Sequence, residues 1–287
     1  MTRTAYVNGR YVPHGQAVVH IEDRGYQFAD GVYEVCEIRD GMVVDETRHL
    51  DRLERSLREL RIAMPMERKA LSMVLHQVVR RNRVRNGSVY LQVTRGVAPR
   101  DHYFPTKPVR PSLVMTAQPG NRTAAEAIAA EGVRVITRPD NRWERVDIKT
   151  IGLLPNVLAK QAAREAGARE AWLVDAGGYV TEGGSTNAWI VTMDGVLVTR
   201  PADTGILKGI TRTGVLDMAA KLGLAVEERA FTVEEAKRAR EAFMTAASTI
   251  VMPVVQIDDA TIGNGQPGSI TISLRQHFHD NVEQTPL

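Results

Sequence analysis

The chain has 287 residues and a mass of 31.7 kDa, room for one large domain or two ordinary ones. Hydrophobic residues make up 43% and charged residues 25%, the balance of a folded soluble protein, and a net charge of +3 gives no argument for nucleic acid. A single cysteine, Cys36, excludes an internal disulfide and a multi-cysteine zinc site. No apolar run reaches the ~18–20 residues of a membrane span, and Met1-Thr2-Arg3 enters polar sequence without a signal-peptide pattern, so a cytoplasmic location with no membrane partner is expected.

The first fifty residues predict β-structure, with hairpin turns at Asn8-Gly9 and Asp40-Gly41. Leu50, Leu53, Leu57 and Leu60 recur at helical spacing, and a second helix is predicted over Glu67–Arg83. Strands are expected at Ser88–Arg95 and Ser112–Thr116; the prolines between them, from Pro99 to Pro111, mark an irregular excursion. Residues 1–118 form an N-terminal domain in this reading, the polar, alanine-rich stretch 119–131 a connector, and residues 132–287 a second domain.

In the second domain strands are predicted at Val133–Thr137 and Val146–Lys149, then a helix over Pro155–Ala166. Ala171–Asp175, Tyr179–Glu182, Ala188–Thr192 and Val196–Thr199 suggest a β-meander. Helices follow at Thr211–Leu222 and Val233–Ala239, the latter opened by the capping box Thr232-Val-Glu-Glu235. Strands at Ala242–Ala247 and Val254–Ile257 and a helix at Ile270–Asn281 close the chain. Strands and helices mix without strict alternation, which makes the class α+β.

Of 37 basic residues only seven are lysines, so a search for a reactive amine is short. Lys69, Lys221 and Lys237 sit among charges on helices, Lys160 lies on the polar side of an alanine-rich helix, and Lys107 is held between prolines. Lys149, within Val146-Asp-Ile-Lys149-Thr-Ile151, has apolar neighbours; by pattern it is either a surface lysine on an outer strand face or a desolvated nucleophile. Lys208 is the second candidate. Thr181-Glu182-Gly-Gly-Ser-Thr-Asn187 reads either as a plain loop or as a carboxylate presented beside a ligand that glycines allow close. Gly209-Ile210-Thr211-Arg212 opens a helix, whose free N–H groups suit a phosphate.

Glu182-x-Gly-x-x-Asn187, Leu197-x-Thr199 and Leu207-x-Gly209-Ile210-x-Arg212 together resemble the signature of class IV pyridoxal-phosphate aminotransferases, with Trp189 where the family has Phe or Tyr. Gly31-Val-Tyr33-Glu-Val35, His49-Leu-Asp-Arg52-Leu53, Arg95-Gly-Val-Ala-Pro-Arg100-Asp-His102 and Asp147-Ile-Lys149 resemble the D-amino-acid aminotransferases within it, and the likeness runs from Tyr6 to about His277. It implies fold type IV: a smaller N-terminal α/β domain, a larger C-terminal barrel-like domain carrying the cofactor lysine, pyridoxal 5′-phosphate at the domain interface, and a homodimer.

The same resemblance assigns roles. Lys149 holds the cofactor as a Schiff base and then shuttles the substrate proton; Glu182 pairs with the pyridine nitrogen and keeps it protonated, so that the ring draws in electrons. Arg52, the N–H groups of Ile210 and Thr211, and Ser248 bind the phosphate, with Ala247 apolar where relatives often have Thr. Tyr33, Arg100 and His102 gather the substrate α-carboxylate, the last two from one side of an extended loop. The implied reaction moves an amino group from a D-amino acid, D-alanine being the usual donor, to a 2-oxo acid such as 2-oxoglutarate. A branched-chain L-aminotransferase, an aminodeoxychorismate lyase and a non-catalytic relative are the alternatives. The roles of Asp101 and of Cys36, expected as a packed strand cysteine, stay open.

Overall fold

The structure is a computed structural model describing residues 3–287, so the Met1-Thr2 start lies outside the described residues. Its contacts divide the chain into two compact units. The first holds the chain through Asn121, with Ile148–Gly152 and Glu283–Leu287; the second holds Arg122–Asp147 and Leu153–Val282.

The first unit opens with β1 (Thr4–Val7), β2 (Arg10–Pro13) and a short helix, α1 (Arg24–Phe28). Then come β3 (Gly31–Arg39), β4 (Met42–Val44), α2 (Glu46–Glu59), α3 (Arg68–Asn82), β5 (Gly87–Thr94) and β6 (Ser112–Pro119). Both predicted hairpins form, and the turn residues Asn8, Gly9, Asp40 and Gly41 all have positive φ, as such tight turns need. Leu50, Leu53 and Leu57 of α2 and Leu71, Leu75, Val78 and Val79 of α3 pack on Val32, Cys36, Ile38, Val89, Leu91 and Val93 of the sheet. Helical spacing of the leucines and strand alternation in β3 and β5 thus face each other across one core.

In the second unit α4 (Arg122–Glu131), β7 (Val133–Pro139), α5 (Leu154–Glu165), β8 (Glu170–Val174), β9 (Val180–Gly183), β10 (Asn187–Val191) and β11 (Leu197–Thr199) come first. They are followed by α6 (Ile210–Lys221), β12 (Val226–Glu228), α7 (Val233–Lys237), β13 (Glu241–Ala246), β14 (Ile250–Ile257), β15 (Ala260–Thr261) and α8 (Ser269–Asn281). The strands form a curled mixed sheet in the order β12-β11-β10-β13-β14-β7-β8-β9, with β15 on β14. A final strand, β16 (Gln284–Pro286), returns to the first unit beside β4, completing the antiparallel order β16-β4-β3-β5-β6-β1-β2. No described helix is long and apolar enough to cross a membrane.

The α+β class holds, and four details differ from expectation. The supposed connector contains a helix, α4, because its alanines are the best helix formers and Ala129 finds a buried seat. The four strands of the expected meander do not run side by side: β9 pairs with β8, whereas β10 pairs with β11 and β13. Val146–Lys149 is not a strand, since the Thr150 amide turns back onto the Ile148 carbonyl at 2.7 Å and regular pairing stops. Lastly, the lysine segment clusters with the first unit, where buried Ile148 joins the core, and not with the chain that flanks it.

Candidate active site

The short segment around Lys149 is tied to β3 by its backbone. Tyr33 N donates to Lys149 O at 3.0 Å and Ile151 N donates to Gly31 O at 3.1 Å. The Lys149 side chain is half-buried, with Nζ 4.3 Å from the centre of the Tyr33 ring. Among the described residues it has no carboxylate partner, whereas Lys160 and Lys237 are paired with Glu170 and Asp258. Lys69, Lys107, Lys208 and Lys221 are exposed. Lys149 is therefore the lysine that combines partial burial with an amine uncommitted to an acid.

Strand alternation turns Glu34 away from Tyr33 and toward α2, where the fully buried carboxylate accepts from three nitrogens. Arg52 donates Nε to Oε1 at 2.7 Å and Nη2 to Oε2 at 2.8 Å, and His49 Nδ1 lies 2.7 Å from Oε2. Burial alone would push the Glu34 carboxyl up, but the Arg52 charge and hydrogen bonds, helped by His49, hold it well below the usual carboxylate range. Burial also lowers the His49 pKa, with Glu34 opposing and Arg52 and Lys149 assisting, which leaves the ring neutral near pH 7. A neutral ring facing a carboxylate through Nδ1 must carry its proton there, an assignment made from the hydrogen bond. One edge of the Arg52 guanidinium is thereby fixed, and its orientation with it.

A second constellation lies in the second unit. Glu182 at the end of β9 is buried and receives Arg142 Nη1 at 2.5 Å, Asn187 Nδ2 at 2.8 Å and the Leu207 amide at 3.2 Å. Asn187 also donates to Leu207 O, at 2.9 Å, so β9, β10 and the approach to α6 are drawn together. Arg142 gives its other edge to Asp140, at 2.9 and 2.7 Å, and Thr181 donates to Asp140 at 2.7 Å. Burial works against the Arg142 charge, but the Asp140 hydrogen bonds and the charges of Glu182 and Asp140 outweigh it and raise the arginine's pKa. A permanently charged guanidinium at this distance favours the ionised form of Glu182.

At Gly209 the chain enters α6 with no side-chain cap, leaving the first N–H groups, those of Ile210 and Thr211 among them, open to an anion. Ser248 is exposed in the turn between β13 and β14, and the neighbouring Thr249 hydroxyl is buried without a partner among the described residues. Trp189 is a core residue, stacked on Phe243 at 5.3 Å and donating to Thr245 at 3.1 Å. The substitution of an indole at this family position is thus absorbed by packing.

Arg100 and His102 are exposed, and both lie against the ring of Phe28, the guanidinium 4.6 Å and the imidazole 5.6 Å from its centre. Neither forms an ion pair among the described residues. Two cationic or polar tips thus rest on one phenyl ring, with no protein carboxylate paired to either among the described residues. Cys36 is fully buried in the β3 core.

Residues 31–257 match the family described as amino-transferase class IV. The chain belongs to that family. It is 41% identical over 275 residues to the D-alanine aminotransferase of Bacillus licheniformis, spanning 96% of this chain and 95% of the relative. With the D-alanine aminotransferase of Staphylococcus epidermidis it shares 38% over 278 residues, 97% of each chain. Among solved structures, a T.th. branched-chain amino acid aminotransferase with pyridoxamine 5′-phosphate superposes at a TM-score of 0.88 with 28% identity, covering 98% of this chain and 94% of that one. The Escherichia coli branched-chain enzyme gives 0.89 at 25%, with the same coverage. These structures fix the chain as a fold type IV aminotransferase.

Glu34, His49, Asp140 and Arg142 join the candidates that the motifs mark, and only the first pair could have been found from sequence. A charged residue at an inward position of an apolar strand needs a buried partner, and His49 and Arg52 lie one helical turn apart on the next helix. Asp140 and Arg142 lie in an irregular segment with no periodicity to mark them.

Proposed function

We propose that this class IV aminotransferase transfers the amino group of a D-amino acid, with D-alanine as donor, to a 2-oxo acid such as 2-oxoglutarate. Pyridoxal 5′-phosphate is its cofactor, and the chain works as a homodimer in the cytoplasm. Each unit offers groups that suit that cofactor: in the first a lysine free of acid partners and an anchored Arg52, in the second a carboxylate locked beside an arginine and an uncapped helix start. Bound there, the cofactor would supply an electron sink for the pair released at the substrate Cα.

The chain's own residues do the rest. Lys149 would hold the cofactor through Nζ, and the same amine, when not so engaged, would be the base that takes the proton from the substrate Cα. Glu182, kept charged by Arg142, would hold the pyridine nitrogen in its protonated form. Arg52, the amides of Ile210 and Thr211, and the Ser248 hydroxyl would bind the phosphate. Tyr33, Arg100 and His102 would bind the substrate α-carboxylate and so choose which Cα–H faces Lys149, which sets the enantiomer.

The observation that carries the D-amino-acid reading is the Arg100–His102 pair gathered on Phe28, an anion receptor on the loop that D-amino-acid aminotransferases use. The branched-chain reading draws on the superposed structures, but fold is shared where sequence is not: identity to the D-alanine enzymes is 38–41% and to the branched-chain structures 25–28%. The test mixes holoenzyme with D-alanine or L-leucine without acceptor and measures the 2-oxo acid formed per subunit. About one equivalent of pyruvate from D-alanine, and little 2-oxo acid from L-leucine, is expected; the reverse pattern overturns the reading. Borohydride treatment should fix a pyridoxyl group on Lys149, located by peptide mass.

A further inference from the structure

The Arg100–His102 loop is irregular and exposed, yet its tip is held from beneath by a half-buried acid and two buried arginines. Asp30, between α1 and β3, receives Arg24 Nε at 2.8 Å and Arg95 Nε at 2.7 Å on the same oxygen, with Arg95 Nη2 on the other at 3.0 Å. Arg24 and Arg95 are only 3% and 7% exposed. Each then reaches onward. Arg24 Nη1 donates to the Asp101 carbonyl at 2.6 Å, the residue between Arg100 and His102, and its guanidinium lies over the Phe28 ring that carries both. Arg95 donates to the carbonyls of Leu60 and Arg61 at 2.8 and 2.9 Å and covers the Phe104 ring at 3.7 Å. The backbone supports the same grip: Arg24 N donates to Gly96 O at 2.9 Å, and Arg95 N to Asp30 O at 3.0 Å.

We infer that Arg24, oriented by Asp30, is a positioning residue that sets the Asp101 peptide and the Phe28 ring, and through them the spacing of Arg100 and His102 as a carboxylate receptor. This deepens the D-amino-acid reading and rests on it. The physical case is one of entropy and geometry. A loop crossed by several prolines cannot fix its tip by regular hydrogen bonds, so the carbonyl of its central residue is fixed by a charge-assisted donor instead. The donor is itself pre-oriented, because Nε is spent on Asp30 while Nη1 points at Asp101. Receptor geometry fixed before the substrate arrives spares the ordering cost at binding, and that saving appears in KM. Asp101 thereby gains a role through its carbonyl, while its carboxylate stays within the turn, 3.3 Å from the Tyr103 amide.

The test compares Arg24→Gln, Arg24→Lys and Arg100→Ala holoenzymes in D-alanine kinetics and thermal unfolding, and the native chain with the two Arg24 variants in timed trypsin cleavage after Arg100. The expected result is a KM for D-alanine raised about tenfold in both Arg24 variants, the scale of one lost charge-assisted hydrogen bond, with kcat within about twofold. Lysine keeps the charge but not the planar fork, so rescue by Arg24→Lys would mean that charge alone matters and would overturn the inference. Cleavage after Arg100 should quicken about tenfold in the Arg24 variants without a matching fall in the unfolding midpoint. Unchanged KM and cleavage in both variants, while Arg100→Ala still raises KM, would sink the positioning role alone. If Arg100→Ala leaves KM untouched, the carboxylate-receptor reading fails and takes this inference with it. Should Arg24→Gln unfold, Asp30→Asn provides the second variant and must show the same KM and cleavage pattern.

Discussion

Arg142 touches Glu182 with one edge and Asp140 with the other, at 2.5 Å to the first and 2.7 to 2.9 Å to the second. The guanidinium is thus a rigid bridge that carries positive charge to the glutamate while its own position is set by the aspartate. If this bridge keeps Glu182 charged, Arg142→Gln should lower kcat by roughly 10- to 100-fold, about what a neighbouring charge contributes to the state of a buried carboxylate. Asp140→Asn should cost less. The Arg142→Gln and Glu182→Gln pair, combined, should be no slower than Glu182→Gln alone, because both remove the same interaction. Additive losses in steady-state kinetics would show that the two residues act separately.

Acid lability should come from the Glu34–His49–Arg52 cluster. Both Glu34 and His49 have lowered pKa values in the folded chain. A group of this kind contributes stability above its unfolded pKa, and that contribution is lost as pH falls below it. The His49 part should therefore fade below about pH 6.5 and the Glu34 part below about pH 4.3, the ordinary values of the two groups. Thermal midpoints of the native chain and Glu34→Gln, measured from pH 7 to pH 3, should converge as pH drops. At pH 7 the variant should be less stable by about 3–5 kcal/mol, since it strands a buried arginine. Parallel curves across that range would remove Glu34 from the account.

Gly209 marks a close approach. An added Cβ would overlap Asn187 Oδ1 and crowd Arg212 Cβ, so Gly209→Ala must push Asn187 off Glu182 or shift the start of α6. The expected result is about 1–3 kcal/mol lost in denaturant unfolding together with reduced turnover. Gly15→Ala, where nothing lies within 4 Å, should change neither. Wild-type behaviour of Gly209→Ala would mean that Asn187 is not needed where it sits.

Cys36 should be silent to thiol reagents. It is fully buried, and burial, with Glu34 and Glu46 adding to it, raises the thiol pKa well above its ordinary value. Native protein should take up no reagent on the minutes scale and one equivalent after unfolding. Rapid labelling of the native chain would contradict the packing of β3.

Much of this fold was legible because the period of the apolar pattern matched the element that formed. The leucines of α2, the alternation in β3 and β5, and the paired turn residues at Asn8-Gly9 and Asp40-Gly41 each needed only local physics. What escaped was non-local. Pairing of β10 with β13, far along the chain, replaced the expected meander, and no local signal reports which strand a strand will choose. The candidate site divides the same way. Lys149, Glu182 and Arg52 carried family motifs, whereas Arg142 and Arg24 matter only through partners that folding brings to them.

The small strand β16 has a consequence for how the protein is made. It lies on β4, Asp45 N donates to Glu283 O at 3.0 Å, and Leu287 packs on the core beneath. Ribosomal synthesis therefore delivers the first unit in three instalments: the stretch through Asn121, the short segment that includes Lys149, and Glu283–Leu287. Until the last arrives, β4 is a bare sheet edge able to pair with a neighbouring nascent chain. The nascent enzyme stays exposed to mispairing for as long as β16 is missing, and a change in that late strand acts on the first-made part of the molecule.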